Sequence, residues 1–353
     1  MKDLNSILNQ LKDQLGLNQI QIGPLATPLT IEFYEKWLTQ DFHADMAYLK
    51  EHLSLKKSPQ LLHPKDLKSV ITITQPYFPI VNATTNPIPA RAATYAQNQD
   101  YHFWLKEKLT HIIEALKQQH PEHEFLPFVD SGPVLERNWA FENGLGWFGK
   151  NTCLIHPQFG SLFFIAEILT TLEPPPQKIE KVPDFCGTCQ KCITICPTGA
   201  LIAPKTLKAE LCISYLTIES KSIPAIELRE KMGDWFFGCD LCQTTCPWNE
   251  KVFRTLKLAP SSESDTRLQL ELSPEKTQEL ILFFRNLLTS SNKKIAKEFQ
   301  GSPLSRAGGN GLKRNALIVI ANRKLRELRP EVELHLENPR FSELASWCLQ
   351  ALN

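Results

Sequence analysis

The sequence has almost no net charge: 39 Lys and Arg stand against 38 Asp and Glu in 353 residues. With 42% hydrophobic residues, that balance excludes the low-hydrophobicity, high-charge class of disordered chains. Long apolar runs are missing too. The richest stretches, 161–172 and 316–321, fall well short of the roughly 18 residues that span a bilayer, so no membrane segment is expected. The first residues, MKDLNSILNQLKDQLGL, mix polar and apolar positions at helical spacing and hold no apolar core before a small-residue cleavage site. They do not read as a secretion signal, and the expected location is cytoplasmic. No G-x-G-x-x-G follows a strand pattern, which removes support for a nicotinamide or flavin Rossmann site. Cysteine is nearly absent from most of the chain, with Cys153 and Cys348 alone among 292 residues.

The other eight cysteines are crowded into the 61 residues 186–246. A cytosolic chain has little use for structural disulfides, so such crowding points to metal ligation. Cys186, Cys189, Cys192 and Cys196, followed by Pro197, form the C-x2-C-x2-C-x3-C-P run of bacterial two-cluster ferredoxins. In that arrangement the fourth cysteine serves the other cluster, so a partner run is required. Cys239, Cys242 and Cys246, followed by Pro247, supply it, and Cys212 completes the set. One 4Fe-4S cluster is therefore expected on Cys186, Cys189, Cys192 and Cys246, the second on Cys196, Cys212, Cys239 and Cys242. Two structural zinc sites are the competing reading, but these favour separated C-x2-C pairs over a triple followed by C-P. Cys153 and Cys348 read as small buried hydrophobes.

Strands are expected at 68–76, 123–130 and 161–170, with helices at 100–119 and 134–143 between them. That alternation predicts an α/β domain with a largely parallel sheet. It ends at Glu173-Pro174-Pro175-Pro176, a stiff segment no helix can cross. The cysteine-rich part runs to a turn at 259–262. Helices are then expected over 274–297, 311–329 and 341–352. Ten Lys or Arg against two Glu between residues 291 and 330 give this tail a net +8, a footprint suited to nucleic acid. The plain alternative is a solvated basic helix face. Trp147, Trp235 and Trp248 could stack on a base or cofactor, although each is more often core. From residues alone, the chain is a two-cluster electron carrier joined to an α/β domain of unspecified redox chemistry.

Several strings make that specific. VDSGPVLER over 129–137, GLGWFGKNT over 144–152, CISYLTIE over 212–219, GCDLCQ over 238–243 and CPWN over 246–249 closely resemble the epoxyqueuosine reductases. The resemblance runs from about residue 46 to 322. It implies a reductive-dehalogenase-like α/β cobalamin-binding domain over 1–172 and a ferredoxin-like domain with two 4Fe-4S clusters over 173–260. Over 261–353 it implies a helical, HEAT-like region that binds transfer RNA. It also implies the activity: reduction of epoxyqueuosine to queuosine at the wobble position of the anticodon stem-loop, as the last step of queuosine biosynthesis. An external low-potential electron donor would feed the clusters, and the enzyme would be a monomer. The D-x-H-x-x-G cobalamin motif is absent, in keeping with a family that binds cobalamin without a histidine ligand.

Asp130 matches the family's proton donor. Its apolar neighbours, Phe125 to Val129 and Pro133 to Leu135, predict a desolvated carboxyl that keeps its proton near neutrality. An Asp that ends a strand before Ser-Gly-Pro also fits a turn or helix cap. By position, cobalamin contacts fall at Lys56, Ala96, Asp130, Leu154, Ile165, Ser214, Asp240 and Leu241. Lys56 stands where the family more often has Arg, losing a bidentate grip. Asn98 replaces a usual Gly and is expected to take positive φ in its place. Transfer RNA contacts are implied for Lys221, Arg306, Lys313 and Arg314, binding phosphates with salt-dependent affinity. Two other functions compete: a reductive dehalogenase-like enzyme, and a ferredoxin-type electron-transfer or RNA-binding protein without chemistry of its own.

Overall fold

In the computed structural model, residues 4–77, 88–256 and 271–353 are described, so the turn expected at 259–262 lies outside the described residues. The chain divides into two units. One takes Met1–Phe78, Tyr101–Cys189 and Pro204–Thr206, the other Pro79–Asp100, Gln190–Ala203 and Leu207–Asn353.

The first unit runs α1 (Leu4–Gln14), β1 (Gln19–Pro24), α2 (Ile31–Thr39), β2 (Ser69–Pro76), α3 (Tyr101–Gln119), β3 (Phe125–Phe128), α4 (Glu136–Glu142) and β4 (Phe163–Thr170). Its sheet has the order β1-β2-β4-β3, and every neighbouring pair is antiparallel. The largely parallel sheet expected from the strand–helix alternation is thus incorrect. The strands β2 and β3, joined through α3, do share a direction, as that alternation requires. However, β4 inserts between them in the opposite sense, and β1 adds to the outer edge of β2.

As one of the two internal strands, β4 is covered on both faces, which is why 161–170 reads as an apolar run with no clean alternation. On one face Leu169 clusters with Val70 and with Trp139 of α4, and Ile165 packs beside Ala140. On the opposite face Phe164 stacks on Tyr101 of α3, with ring centroids 4.2 Å apart. Each large side chain so buried contributes about 1.5–3 kcal/mol. Strand β3 carries Pro127, which an edge strand tolerates because it bonds to a neighbour on one side only.

The second unit contains α5 (Lys191–Thr194), α6 (Ile213–Ile218), β5 (Trp235–Phe237), α7 (Leu241–Thr244), α8 (Pro247–Thr255), α9 (Pro274–Thr289), α10 (Asn292–Glu298), α11 (Gly308–Arg323) and α12 (Ser342–Ala351). The single helix expected over 274–297 is two. Ser290 turns extended at ψ 149°, and the Ser291 hydroxyl caps α10 by accepting the Lys294 N–H at 3.3 Å. The helix expected over 311–329 begins at Gly308 and ends at Arg323, where Lys324 takes a left-handed φ of 53°. Helix α11 is buried around most of its circumference, with Leu312 and every residue from Arg314 to Ala321 inside. It forms the axis on which α9, α10 and α12 pack.

Strand β5 pairs in parallel with Arg91–Ala92. After it, Gly238 has φ +67°, and a Cβ there would lie 2.6 Å from the Cβ of Ala93, so only glycine permits this approach. Among the described residues no helix is long and apolar enough to cross a membrane.

Candidate active site

Asp130 sits two residues beyond β3, and the loop there is sharply constrained. Asp130 adopts φ +45°, a left-handed conformation that costs a non-glycine residue about 1 kcal/mol or more. Gly132 follows at φ +137°, where a Cβ would stand 2.6 Å from the Phe128 ring. Val129 and Phe125 point into the core, and the turn carries Asp130 out to solvent. The desolvated Asp130 expected from its apolar neighbours is therefore incorrect: Phe125 and Val129 are buried, and Asp130 is exposed. Two groups hold it. The Tyr101 hydroxyl donates to Oδ2 at 2.5 Å, and the Asp130 N–H donates to Oε1 of Glu136 at 2.6 Å.

The desolvation falls instead on two glutamates behind this loop. Glu136 opens α4 and is pushed up to about 8, by burial first and by the negative charge of Asp130 second. Glu167 lies mid-strand in β4 with no exposed surface, and burial, then the charge of Glu136, pushes its carboxyl well above the usual range. Neither Glu167 oxygen has a hydrogen-bond partner among the described residues. Sequence reading passed over Tyr101, Glu136 and Glu167. One signal was available: Glu167 is the lone charge in the apolar run 161–170.

The remaining residues implied as cobalamin contacts fall within both units. In the first, Leu154 is buried and Ile165 half-buried. Lys56 is buried as well, and its ammonium donates to the carbonyls of Glu51 at 2.6 Å and Leu49 at 3.1 Å. Burial lowers its proton affinity. In the second, Ala96 and Leu241 are buried and Ser214 half-buried. Asp240 is buried too, with Oδ2 accepting both the N–H and the hydroxyl of Thr94 at 2.7 Å. Asn98 is extended at φ −118°, so the positive φ expected of it is incorrect and the missing glycine is of no consequence to the turn. Lys56 and Asp240 spend their charges on the protein's own backbone and hydroxyl groups. Within each unit, what these residues leave to a ligand is main-chain and apolar contact.

The cysteines fit cluster ligation by their surroundings. In the second unit the Ala200 N–H donates to the Cys196 sulfur at 3.3 Å. Backbone N–H groups of Tyr215 and Ser214 reach Cys212, and that of Leu241 reaches Cys239. Burial raises the thiols of Cys212 and Cys239, and the nearby sulfur of Cys196 raises the first further while that of Cys212 raises the second. Thiols that oppose one another's ionisation, yet receive amide N–H groups, suit a bound iron cluster that takes them as thiolates.

In the first unit, Lys150 Nζ donates to the carbonyls of Gly187 at 2.6 Å and Cys189 at 2.8 Å, fixing the loop of Cys186 and Cys189. Asp184, held by Lys205 at 2.7 Å, accepts the Cys186 N–H at 2.8 Å. Cys192 rides on α5, and Cys246 caps α8 ahead of Pro247. Cys348 is buried, with its thiol pushed up to about 12, as a core residue should be. Cys153 is only half-buried, so its expected place in the core is incorrect. Trp147 and Trp235 are core, the latter under the Arg91 guanidinium at 3.9 Å, while Trp248 is half-buried.

The basic residues expected at transfer RNA separate sharply. Lys221 is exposed, and Lys313 is half-buried. Arg306 is exposed but gripped by both carboxylate oxygens of Glu219, at 2.9 and 3.1 Å. Arg314 does not fit a phosphate contact. It is 2% exposed, and it donates to the carbonyls of Ser220 at 2.5 Å, Leu216 at 2.6 Å and Ser222 at 3.0 Å. Its role is to pin the 220–222 turn that presents Lys221. A cavity of about 230 Å³ opens beside this turn, lined by Lys221, Gly308, Asn310 and Arg340 among others.

A cysteine set with the spacing of two 4Fe-4S clusters defines an iron–sulfur oxidoreductase, and in the first unit the loop carboxyl of Asp130 is clasped by the Tyr101 phenol of α3. More narrowly, the chain belongs to the epoxyqueuosine reductase family. Residues 57–131 match the family model described as Epoxyqueuosine reductase QueG, DUF1730, and residues 185–249 match the 4Fe-4S double cluster binding domain. The epoxyqueuosine reductase of Escherichia coli K12 is 33% identical over 356 residues, covering 98% of this chain and 90% of the relative. That of Cyclobacterium marinum is 40% identical over 219 residues, covering 61% of this chain and 69% of the relative. Among solved structures, a crystal structure of epoxyqueuosine reductase with an epoxyqueuosine-modified transfer RNA stem loop superposes with a TM-score of 0.80 at 29% identity, covering 99% of this chain and 90% of that one.

Proposed function

We propose that this protein reduces the epoxide of epoxyqueuosine to the alkene of queuosine in the anticodon stem-loop of transfer RNA. The observation that carries the reading is Asp130 itself, exposed on a constrained loop and clasped through Oδ2 by the Tyr101 hydroxyl, within a chain of this family. Bound cobalamin, reduced through two 4Fe-4S clusters, would supply the strongly reducing centre that the deoxygenation demands. The protein supplies protons and position. Asp130 gives its proton to the departing oxygen, and Tyr101 fixes which carboxylate oxygen faces it.

The cluster ligands divide as the ferredoxin spacing implies, Cys186, Cys189, Cys192 and Cys246 for one and Cys196, Cys212, Cys239 and Cys242 for the other. Leu154, Ile165, Ala96, Ser214 and Leu241 contribute apolar or main-chain contact to the cobalamin, while Lys56 and Asp240 shape the segments around it. Transfer RNA phosphates are met by Lys221, Lys313 and Arg306, presented by the HEAT-like helices and the turn that Arg314 anchors. The division of labour follows the three segments 1–172, 173–260 and 261–353. An external low-potential electron donor feeds a cytoplasmic monomer.

Asp130→Asn tests this. It should keep its iron, cobalt and transfer RNA affinity, yet lose epoxide reduction by about 10²-fold or more, the usual weight of a general acid. Turnover at the parent rate would remove Asp130 from the chemistry. Anaerobic protein that holds zinc and no cobalt would overturn the whole reading.

A further inference from the structure

The arginines of the second unit are nearly all spent on the protein itself. Arg229 pairs with Glu343, Arg254 with Glu250, Arg285 with Glu331 and Arg306 with Glu219. Arg91 and Arg323 share Asp234, Arg326 and Arg329 reach Asn353, and Arg314 serves backbone carbonyls. Among the described residues of that unit, Arg340 is the one arginine whose guanidinium has neither a hydrogen bond nor an ion pair.

Arg340 lines the cavity of about 230 Å³ beside the 220–222 turn. Lys221 lines it too, and its ammonium has no partner among the described residues either. No Asp or Glu stands on the wall. Both cations rise from fixed backbone. The Arg340 N–H donates to Oδ1 of Asn338 at 3.0 Å, and buried Phe341 next to it donates its N–H to the Asn338 carbonyl at 2.9 Å. The turn of Lys221 is braced by Arg314 and by the Ser222 N–H, which donates to Oγ of Ser220 at 3.3 Å. Between them the starts of α10 and α11 meet at the wall, where a Cβ at Gly309 would lie 2.6 Å from Oδ1 of Asn292. Asn292 Nδ2 donates to Oδ1 of Asn310 at 2.9 Å, which leaves the Asn310 amide nitrogen unspent among the described residues.

Two unpaired cations on one wall, with no acid to offset them, attract an anion. A guanidinium fork suits two oxygens of a phosphate, and an ammonium suits a third. Resting on the function proposed above, we infer that this cavity seats one backbone phosphate of the transfer RNA, gripped by Arg340 and Lys221, with the Asn310 amide as a neutral donor. Lys293 and Lys294, exposed directly after Asn292, continue the positive surface beyond the cavity. That continuation favours a chain of phosphates over a free ion. Arg314 is a positioning residue here, acting through the turn that carries Lys221.

Binding of an anticodon stem-loop to the full-length protein tests the inference. Arg340→Gln should weaken it about tenfold at low salt and take about 0.7 to 0.9 from the slope of log affinity against log salt. Arg340→Lys keeps the charge and loses the fork, and it should still bind about threefold more weakly than the parent. Both variants should keep the parent unfolding midpoint, since the guanidinium holds nothing within the protein. In a stem-loop scanned with single neutral methylphosphonates, one position should weaken binding to the parent about tenfold and leave binding to Arg340→Gln unchanged. Equal affinity and salt slope for the parent and Arg340→Gln would overturn the inference, as would a loss that no single phosphate accounts for. Inorganic phosphate that raises the unfolding midpoint of the parent but not of Arg340→Gln, with RNA affinity equal in the two, would assign the cavity to a free oxyanion and overturn it likewise. A parent enzyme that binds the stem-loop and leaves epoxyqueuosine unreduced would defeat the proposed function instead, while the Arg340 result would still stand.

Discussion

Two buried charged side chains, one in each unit, meet opposite fates. Glu167 lies in an internal strand of its sheet with neither oxygen bonded among the described residues, whereas Arg314 on the central helix of the other unit delivers its guanidinium to three backbone carbonyls. A buried ion without partners takes up or sheds a proton; a buried ion with partners keeps its charge and becomes architecture. The first unit thus buries an acid that keeps its proton, and the second converts an apparent RNA-binding cation into a brace. The sharpest way to break this contrast is to remove the brace. Arg314→Ala leaves the carbonyls of Leu216 and Ser220 without their buried donor and frees that of Ser222, and it should cost about 3 kcal/mol or more of stability. The midpoint of urea unfolding measures this, and a loss below about 1 kcal/mol would demote Arg314 to an ordinary surface cation.

That same residue marks the limit of what was legible in the sequence. The strands at 68–76 and 161–170 and the helices at 100–119 and 341–352 could be read because their apolar periodicity is local. The direction of β4 could not, because strand order depends on which edges meet after collapse. The cluster cysteines were readable because ligand spacing is itself a geometric statement. Arg314 and Glu167 were not, because a one-letter code does not say whether a charge faces water. The +8 of residues 291–330 counted Arg306, Arg314 and Arg323 as equals, yet Arg306 is paired with Glu219, Arg314 with carbonyls and Arg323 with Asp234 at 2.7 Å. Asn315 is another example: its side-chain amide bonds the carbonyls of Thr217 at 2.8 Å and Phe236 at 2.9 Å, tying α11 to α6 and β5.

The acid half of the comparison is sharpened by pH. Glu136 is raised from 4.5 to about 8 in the folded protein, and Glu167 is raised as well. As pH rises above the ordinary glutamate value, the unfolded chain gives up these protons while the folded chain still holds them. The folded state then binds more protons than the unfolded one, so stability falls as pH rises above about 4.5, and the share of that fall due to Glu136 is complete once pH passes about 8. Glu167→Gln removes one ionisation and should flatten that decline, leaving the variant relatively more stable at pH 8 than at pH 5. Unfolding midpoints of the two proteins that stay parallel across that window would show that Glu167 ionises without penalty.

The smallest effects lie on the surface, where the same distinction between paired and exposed charge operates at lower stakes. Lys221 is exposed, and Lys221→Gln should take about one unit from the slope of log affinity against log salt for transfer RNA, with stability changed by no more than about 0.5 kcal/mol. Arg306 must first leave Glu219 to reach a phosphate, and the exposed pair that it abandons is worth about 0.2–1 kcal/mol. Glu219→Gln removes that competition. It should strengthen RNA binding by about two- to fivefold at low salt, and the gain should fade as salt screens the phosphates. Binding that is weakened, or strengthened equally at high salt, would show that the Arg306–Glu219 pair itself forms the contact surface, and that pairing within the protein does not hold Arg306 back from RNA.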